Sequence, residues 1–115
     1  MDYLKDYLIE KEYSLLDFPF GKDIMVFKVK GKMFATLGKN RVTQELNLNL
    51  KCDPDEARVL REQYAIITPS FHLNEIHWNT IVLDHSISVE ELRRMIDNSY
   101  DLVVQSLPKK VRARM

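Results

Sequence analysis

Residues 45–51 read Glu-Leu-Asn-Leu-Asn-Leu-Lys, and residues 53–56 read Asp-Pro-Asp-Glu. In the first stretch leucine alternates with asparagine, which predicts a β-strand with an apolar face toward a core and a polar face toward solvent or a partner. The second stretch is typical of a helix start, because Asp53 can cap the helix, Pro54 suits its first position and Glu56 its third. A half-buried strand running into a helix indicates a mixed fold.

The segments on either side extend this pattern. Strands are predicted where β-forming residues cluster: 24–30, 32–37 after a turn at Gly31, 45–51, a short piece that ends at Pro69, and 78–83. Helices are predicted where apolar residues recur at helical spacing: 2–13, a short one after Asp53, and 89–105, which Pro108 stops. The predicted fold class is therefore α+β: a two-layer sandwich in which an antiparallel β-sheet has helices packed on one face.

The length of 115 residues and the 45% hydrophobic fraction fit a single globular domain over residues 1–115. One cysteine excludes a disulfide framework and a cysteine-based zinc site. The sequence shows no signal peptide and no apolar run near the roughly 18–20 residues of a membrane span. The expectation is a soluble cytoplasmic protein that does not contact a membrane.

The formal net charge of zero results from cancellation between segments of opposite charge. Residues 22–51 contain seven Lys or Arg and two acids, whereas residues 52–107 contain four Arg and ten acids. The N-terminal 21 residues are acidic, and the tail after Pro108 adds four more cations. This asymmetry favours a charged partner, although it does not bear on the fold.

The sequence contains no motif that would predict catalysis. The three glycines stand alone, and the signatures of serine hydrolases and zincins are absent. Cys52 precedes a helix N-terminus, which can lower the pKa of a thiol, but we interpret it as a small buried apolar residue. His72 and His77 with Glu75 have a spacing that a metal site allows, yet hydrogen bonding within an irregular connection is the favoured interpretation. No enzymatic activity, cofactor or metal is predicted.

The basic residues are the strongest candidates for a binding site. The predicted hairpin and its turns carry Lys28, Lys30, Lys32, Lys39 and Arg41, and the tail carries Lys109, Lys110, Arg112 and Arg114. A β-ribbon with a cationic tip can lie along a nucleic-acid backbone, and a basic tail can add phosphate contacts. Lysines on hairpins also protect sheet edges and keep a protein in solution, and both interpretations stay open.

The ordered string of short motifs resembles the MmcQ/YjbR-like family of small bacterial proteins, from about Phe18 to Arg112. The motifs that carry the resemblance are Phe18-Pro19-Phe20-Gly21, Val26-Phe27-Lys28-Val29, Gly31-Lys32-Met33-Phe34-Ala35, Asn47-Leu48-Asn49-Leu50-Lys51-Cys52-Asp53-Pro54, His72-Leu73-Asn74, His77-Trp78-Asn79-Thr80, Ser99-Tyr100-Asp101-Leu102-Val103 and Leu107-Pro108-Lys109-Lys110. The combination is specific, although no single piece is.

The resemblance implies a frataxin-like (CyaY-like) α+β fold and a DNA-binding protein with a double-wing motif and no enzymatic activity. By position, the wings would fall on the hairpin around Gly31 and on the segment from His72 to Trp78. One departure is Glu75, which stands after Asn74 where the resemblance leads us to expect a basic residue.

Three functional hypotheses follow. The first is a non-catalytic DNA-binding protein, in which the basic residues named above contact phosphates while a second group approaches bases or sugars: His72, Asn74, His77, Trp78 and Asn79. The second is a protein-interaction or small-ligand module that uses the polar sheet face and the segment from His72 to Trp78, with an exposed tryptophan as anchor. The third, by analogy with frataxin, is iron binding on an acidic helix that carries Asp2, Asp6, Glu10 and Glu12.

Overall fold

The computed structural model describes residues 2–71 and 73–115, and within them a six-stranded sheet and four helices. In chain order the elements are α1 (Asp2–Ile9), β1 (Ser14–Asp17), β2 (Ile24–Val29), β3 (Lys32–Lys39), β4 (Leu46–Lys51), α2 (Pro54–Gln63), β5 (Ile67–Pro69), β6 (Trp78–Val82), α3 (Val89–Gln105) and α4 (Lys109–Ala113). The strands lie in the order β1-β2-β3-β4-β6-β5, and every pair is antiparallel.

Helices α1, α2 and α3 cover one face of the sheet, which confirms the predicted α+β sandwich. The register aligns Leu37, Leu48, Ile81 and Ile67 across four strands, and all four side chains are buried. The apolar stripe of α3 packs on this row and is itself buried: Leu92, Met95, Ile96 and Val103. The alternation of leucine in β4 therefore places its apolar face against the helices, as the sequence predicts.

A serine on α3 joins two strands where their direct pairing stops. A β-bulge in β3 leaves Phe34 without a register partner, although the β3–β4 register would next pair it with Lys51. The hydroxyl of Ser99, which is completely buried, fills this gap. It accepts from the backbone N–H of Lys51 (2.8 Å) and donates to the carbonyl of Phe34 (2.6 Å). Ser99 thereby fixes α3 to the sheet beside the β2–β3 turn.

The structure adds an element near each end of the chain, and one predicted boundary is wrong. The first helix ends at Ile9 rather than at residue 13, and Ser14–Asp17 form an additional edge strand. After the helix the chain turns: the Ser14 N–H donates to the Lys11 carbonyl (3.0 Å) and Tyr13 has a left-handed backbone (φ 63°), and Leu16 then packs on the core. Pro108 stops α3 as predicted, but it also begins the short helix α4 in the basic tail. No helix in the described parts of the chain combines the length and apolarity needed to cross a bilayer.

Candidate nucleic-acid interface

The antiparallel register sorts the loops between two opposite ends of the sheet. One end holds the β2–β3 turn, the last residues of β4, and the β5–β6 connection at 70–77. The other end holds the β1–β2 connection at 18–23 and the β3–β4 connection at 40–45. Strand β3 runs from one end to the other, from Lys32 to Lys39, so the two ends are roughly 23 Å apart at about 3.3 Å per residue. This separation decides which of the predicted basic residues act together.

Cations from both basic segments meet at the first end. Lys30 and Gly31 form the β2–β3 turn with left-handed backbones (φ 50° and 83°), and the Lys30 ammonium lies 4.4 Å from the centre of the Tyr13 ring. Lys32 points toward the helix layer, where its ammonium donates to the carbonyl of Ser106 (3.4 Å). This contact brings the turn next to α4, and we call the resulting group the basic tip: Lys30, Lys32, Lys109, Lys110 and Arg112, all of them exposed.

Lys28 lies near the basic tip but is already paired. It is aligned with the exposed Leu15, so it projects from the face opposite the helices, where its ammonium lies 3.1 Å from a carboxylate oxygen of Asp17. The hydrogen bond from Lys28 lowers the pKa of Asp17 below its usual value. A phosphate that approached Lys28 would therefore compete with a resident carboxylate, which makes Lys28 a weaker candidate than Lys30 or Lys32.

Lys39 and Arg41 do not belong to this group. They lie at the other end of the sheet, at the end of β3 and in the β3–β4 connection. The prediction treated the whole hairpin and its turns as one cationic wing, but the two ends of a strand of eight residues cannot reach the same phosphates. The predicted strand at 32–37 already separates these two turns, and the folded sheet places them at its opposite ends.

The β5–β6 connection, at the same end as the basic tip, is built by backbone hydrogen bonds around Asn74. The Asn74 carbonyl accepts from the amides of His77 (3.1 Å) and Trp78 (2.9 Å), and its side-chain oxygen accepts from Ile76 N–H (3.0 Å). Arg61 of α2 donates to the carbonyl of Glu75, and the His77 carbonyl accepts from Cys52 N–H (2.7 Å). The predicted contact through His72 lies outside the described residues.

Trp78 and Asn79 are wrong as surface-contact residues. Trp78 is only 8% exposed, so it cannot stack on a base or anchor a protein partner from the surface. Asn79 is 2% exposed, and its amide is engaged with Arg61 Nε (2.7 Å) and the Ala57 carbonyl (3.4 Å). Both side chains stabilise the fold, as buried groups with satisfied polar atoms do.

The exposed apolar residues of this connection are Phe71 (75% exposed) and Ile76 (60%), which the sequence reasoning missed. Phe71 directly precedes the segment from His72 to Trp78 on which that reasoning concentrated, and Ile76 lies within it. An aromatic residue directly after Pro69-Ser70, in a segment too irregular to bury it, is the signal that could have identified Phe71. These two side chains, rather than Trp78, are what the connection presents to a partner.

Four polar side chains on the face opposite the helices satisfy one another: Thr36, Asn49, Ser70 and Thr80. Asn49 donates to the Thr36 hydroxyl (2.9 Å), and its side-chain oxygen accepts from Ser70 (2.8 Å) and from Thr80. Thr36 and Ser70 are buried. Asn49 thus belongs to an internal network across three strands and the β5–β6 connection, in place of the free recognition surface that the alternation of β4 suggested. Asn47, the other asparagine of this face, does not join the network, and its buried side-chain oxygen has no hydrogen-bond partner among the described residues.

The acids of residues 52–107 lie mostly in the helix layer. Helices α2 and α3 carry Asp55, Glu56, Glu62, Glu90, Glu91, Asp97 and Asp101. Part of this charge is neutralised locally, since Arg94 pairs with Glu91 (2.6 Å) and Glu56 (3.2 Å), and Lys11 with Asp97. Among the side chains that the structure describes, no three His, Cys, Asp or Glu gather as a metal site requires. The side chain of Asp2, which the iron hypothesis includes, lies outside that description.

Cys52 is an inert core residue. It is buried in the hydrophobic core, and burial, assisted by the nearby carboxylates of Glu56 and Asp53, raises the pKa of its thiol to about 11. The cleft that it lines between α2, α3 and the sheet encloses about 10 Å³, room for roughly one water molecule. The interpretation of Cys52 as a small apolar residue is therefore confirmed.

Fold and charge together define the class: a small α+β domain whose helix-covered sheet carries its cations at the two ends. Comparison with known proteins specifies the family further. The YjbR family model matches residues 11–102, so the chain belongs to the YjbR family. The resemblance drawn from the motifs is thereby confirmed, and the match begins before Phe18, where the motif evidence begins.

Relatives and solved structures agree with this assignment. The uncharacterized protein YbdF of Escherichia coli O157:H7 is 34% identical over 107 residues, covering 93% of this chain and 86% of the relative. The uncharacterized protein YjbR of Escherichia coli K12 is 35% identical over 85 residues, or 74% of this chain and 70% of the relative. The crystal structure of Deinococcus radiodurans protein DR2400 superposes with a TM-score of 0.88 at 34% identity, covering 98% and 85% of the two chains. A Pseudomonas syringae protein gives 0.75 at 27% identity, with 88% and 96% covered.

Proposed function

We propose that this protein binds DNA without catalysis, through the basic tip. The observation that carries the proposal is the contact between Lys32 and the Ser106 carbonyl, which joins the start of β3, beside the β2–β3 turn, to the C-terminal cap of α3, three residues before α4. Two basic segments that are remote in sequence thereby form one surface. Phosphate contacts by lysine and arginine supply most of the affinity in non-specific binding.

The β5–β6 connection provides a second point of contact beside the basic tip. The β2–β3 and β5–β6 hairpins project from the same end of the sheet, and their centres are three strand spacings apart, about 14 Å. Phe71 and Ile76 at the second hairpin are placed to contact sugars or base edges while the tip holds phosphates. This pairing corresponds to the two wings that the family resemblance implies.

The five cations of the basic tip favour the approach of a phosphate, although the exposed acids Asp53 and Glu75 lie at the same end of the sheet. The acidic α2 and α3 lie in the helix layer, and part of their charge is paired with Arg94 and Lys11. At physiological ionic strength, charges more than about 8 Å apart across solvent are largely screened. Phosphates at the tip would thus experience its cations more strongly than the carboxylates of the helices.

The test is fluorescence anisotropy with a labelled 20-base-pair duplex in 50 mM NaCl. The double variant Lys30→Gln/Lys32→Gln removes two cations from the tip, and Lys39→Gln/Arg41→Gln removes the same charge from the other end. We expect the tip variant to bind at least fivefold more weakly and the matched control to stay within twofold of the wild type. Equal losses in the two variants would show that only net charge matters, and would refute a site at the tip.

A further inference from the structure

The other end of the sheet carries a second cluster that the basic tip does not include. Phe18 and Phe20 in the β1–β2 connection are 46% and 56% exposed. Lys22 follows them, and Lys39 and Arg41 lie at the end of β3 and in the β3–β4 connection. Hereafter these five residues are called the aromatic surface.

The β1–β2 and β3–β4 connections contact each other, so these five residues lie on one continuous part of the surface. The position that a Cβ atom would occupy on Gly21 lies 3.9 Å from Arg41 Nη2. The Lys39 N–H donates to the Asp23 carbonyl (3.4 Å). A side-chain carbon at Gly38 would lie only 3.0 Å from that same Asp23 carbonyl oxygen. The β1–β2 connection is therefore packed directly against β3.

Both connections are held by their own hydrogen bonds. The Phe18 carbonyl accepts from Gly21 N–H (3.3 Å), which closes a turn that displays both phenylalanines. In the β3–β4 connection, the side chain of Asn40 accepts from the N–H groups of Val42 (2.8 Å) and Thr43 (3.0 Å). Such preorganised turns present their side chains at a small cost in conformational entropy.

The three cations of this cluster are available to a ligand. Within the described residues, none of Lys22, Lys39 and Arg41 forms an ion pair. Asp23 and Glu45 share these connections, so the local excess is a single positive charge. A ligand must therefore gain affinity from the aromatic rings as well as from charge.

We infer that the aromatic surface binds single-stranded nucleic acid, with bases stacked on Phe18 and Phe20 and phosphates near the three cations. Bases present a free face only when they are unpaired, and stacking on an aromatic side chain contributes about 1–3 kcal/mol per base. An acidic peptide is the competing ligand, because clustered cations also recognise acidic motifs, but it offers no bases to stack on the two rings. The site is separate from the basic tip and does not require that the tip bind DNA.

The experiment measures anisotropy with labelled (dT)12 and with a 12-base-pair duplex, in 50 mM NaCl. Phe18→Leu/Phe20→Leu keeps the apolar volume but removes both rings, and Arg41→Gln removes one cation. Tyr3→Leu, at an exposed aromatic residue on α1, is the matched control. Circular dichroism confirms that each variant is folded before titration.

We expect the phenylalanine variant to bind (dT)12 at least fivefold more weakly and Arg41→Gln about twofold more weakly. Tyr3→Leu should be unchanged, and the duplex should bind all variants alike. Phenylalanine variants that bind (dT)12 like the wild type would overturn the inference, as would polyglutamate that displaces the probe as well as unlabelled (dT)12 does. If Lys30→Gln/Lys32→Gln abolishes (dT)12 binding while the phenylalanine variant does not, this inference fails and the tip proposal stands. The reverse pattern supports this inference and refutes single-strand binding at the tip.

Discussion

The bridging role of Ser99 gives the sharpest test of the fold. Ser99→Ala removes the hydroxyl that links the N–H of Lys51 to the carbonyl of Phe34, and both backbone groups then lack this partner. Leaving one buried polar group unsatisfied costs about 1–3 kcal/mol, so the two together should cost about 2–4 kcal/mol after local relaxation. For a domain with a free energy of unfolding of about 5–15 kcal/mol, this is a large fraction.

The measurement is urea unfolding followed by fluorescence of Trp78, the one tryptophan in the chain. In thermal unfolding of the same variant, a loss of this size should lower Tm by about 8–16 °C, at about 4 °C per kcal/mol. Amide hydrogen exchange should also show the N–H of Lys51 losing its protection. The control is Ser106→Ala, whose hydroxyl bonds only within its own helix, to the Val103 carbonyl (2.6 Å), and should cost less than about 0.5 kcal/mol.

A loss below about 0.5 kcal/mol in Ser99→Ala, with Lys51 still protected, would refute the reasoning. It would mean that β3 and β4 can close the gap directly and that the serine is not needed. The basic tip would then be held to α3 by the Lys32–Ser106 contact and core packing alone.

Three further predictions concern other parts of the structure. Gly38→Ala should lower the free energy of unfolding, measured in urea, by about 1–3 kcal/mol, because the new Cβ atom meets backbone atoms of residues 23 and 24. An unchanged urea midpoint would contradict that close packing. Since its raised pKa makes Cys52 hold its proton longer in the folded state, stability should fall between pH 9 and 11 by about 2–3 kcal/mol. Cys52→Ala should lack that part of the alkaline loss, and an identical pH dependence in both proteins would rule it out. Arg61→Met should lower the free energy of unfolding by about 1–3 kcal/mol, because it leaves the buried Asn79 oxygen without its donor. Arg58→Met, on the exposed side of α2, should lower it by less than about 0.5 kcal/mol. Equal losses in the two variants would argue against the buried hydrogen bond.

Local signals in the sequence were sufficient for the elements with clear capping and alternation. Asp53 accepts from the N–H groups at the start of α2, and Ser88 caps α3, whose bounds match the predicted 89–105. The error at residues 10–17 has a different origin. Helical spacing continues past Ile9 in the sequence, but the left-handed turn at Tyr13 and the pairing of β1 with β2 depend on tertiary contacts.

The candidate site was only partly predictable, because it depends on how the strands and helices come together and on which side chains other segments bury. The sequence identified the basic segments, but the hypothesis grouped Lys39 and Arg41 with Lys30 and Lys32, although the strand predicted between them separates the two pairs. What the sequence could not show is that Lys32 and the basic tail meet through Ser106. Nor could it show that Trp78 is buried, since strand alternation assigns it to the face opposite the helices without saying what covers that face. Ser99 stands in one of the motifs that carry the family resemblance, but nothing in the sequence indicated its bridging role, because that role depends on a gap between two strands that are distant from it in the chain.

The most direct test of DNA binding at the basic tip is the salt dependence of duplex affinity. The logarithm of the observed association constant is measured against the logarithm of NaCl concentration for the wild type and for Lys30→Gln/Lys32→Gln. Contacts from all five tip residues would give a slope of about −4.5, and removing two of them should make it shallower by about 2. A wild-type slope near zero, or no binding in 20 mM NaCl, would contradict the proposed function.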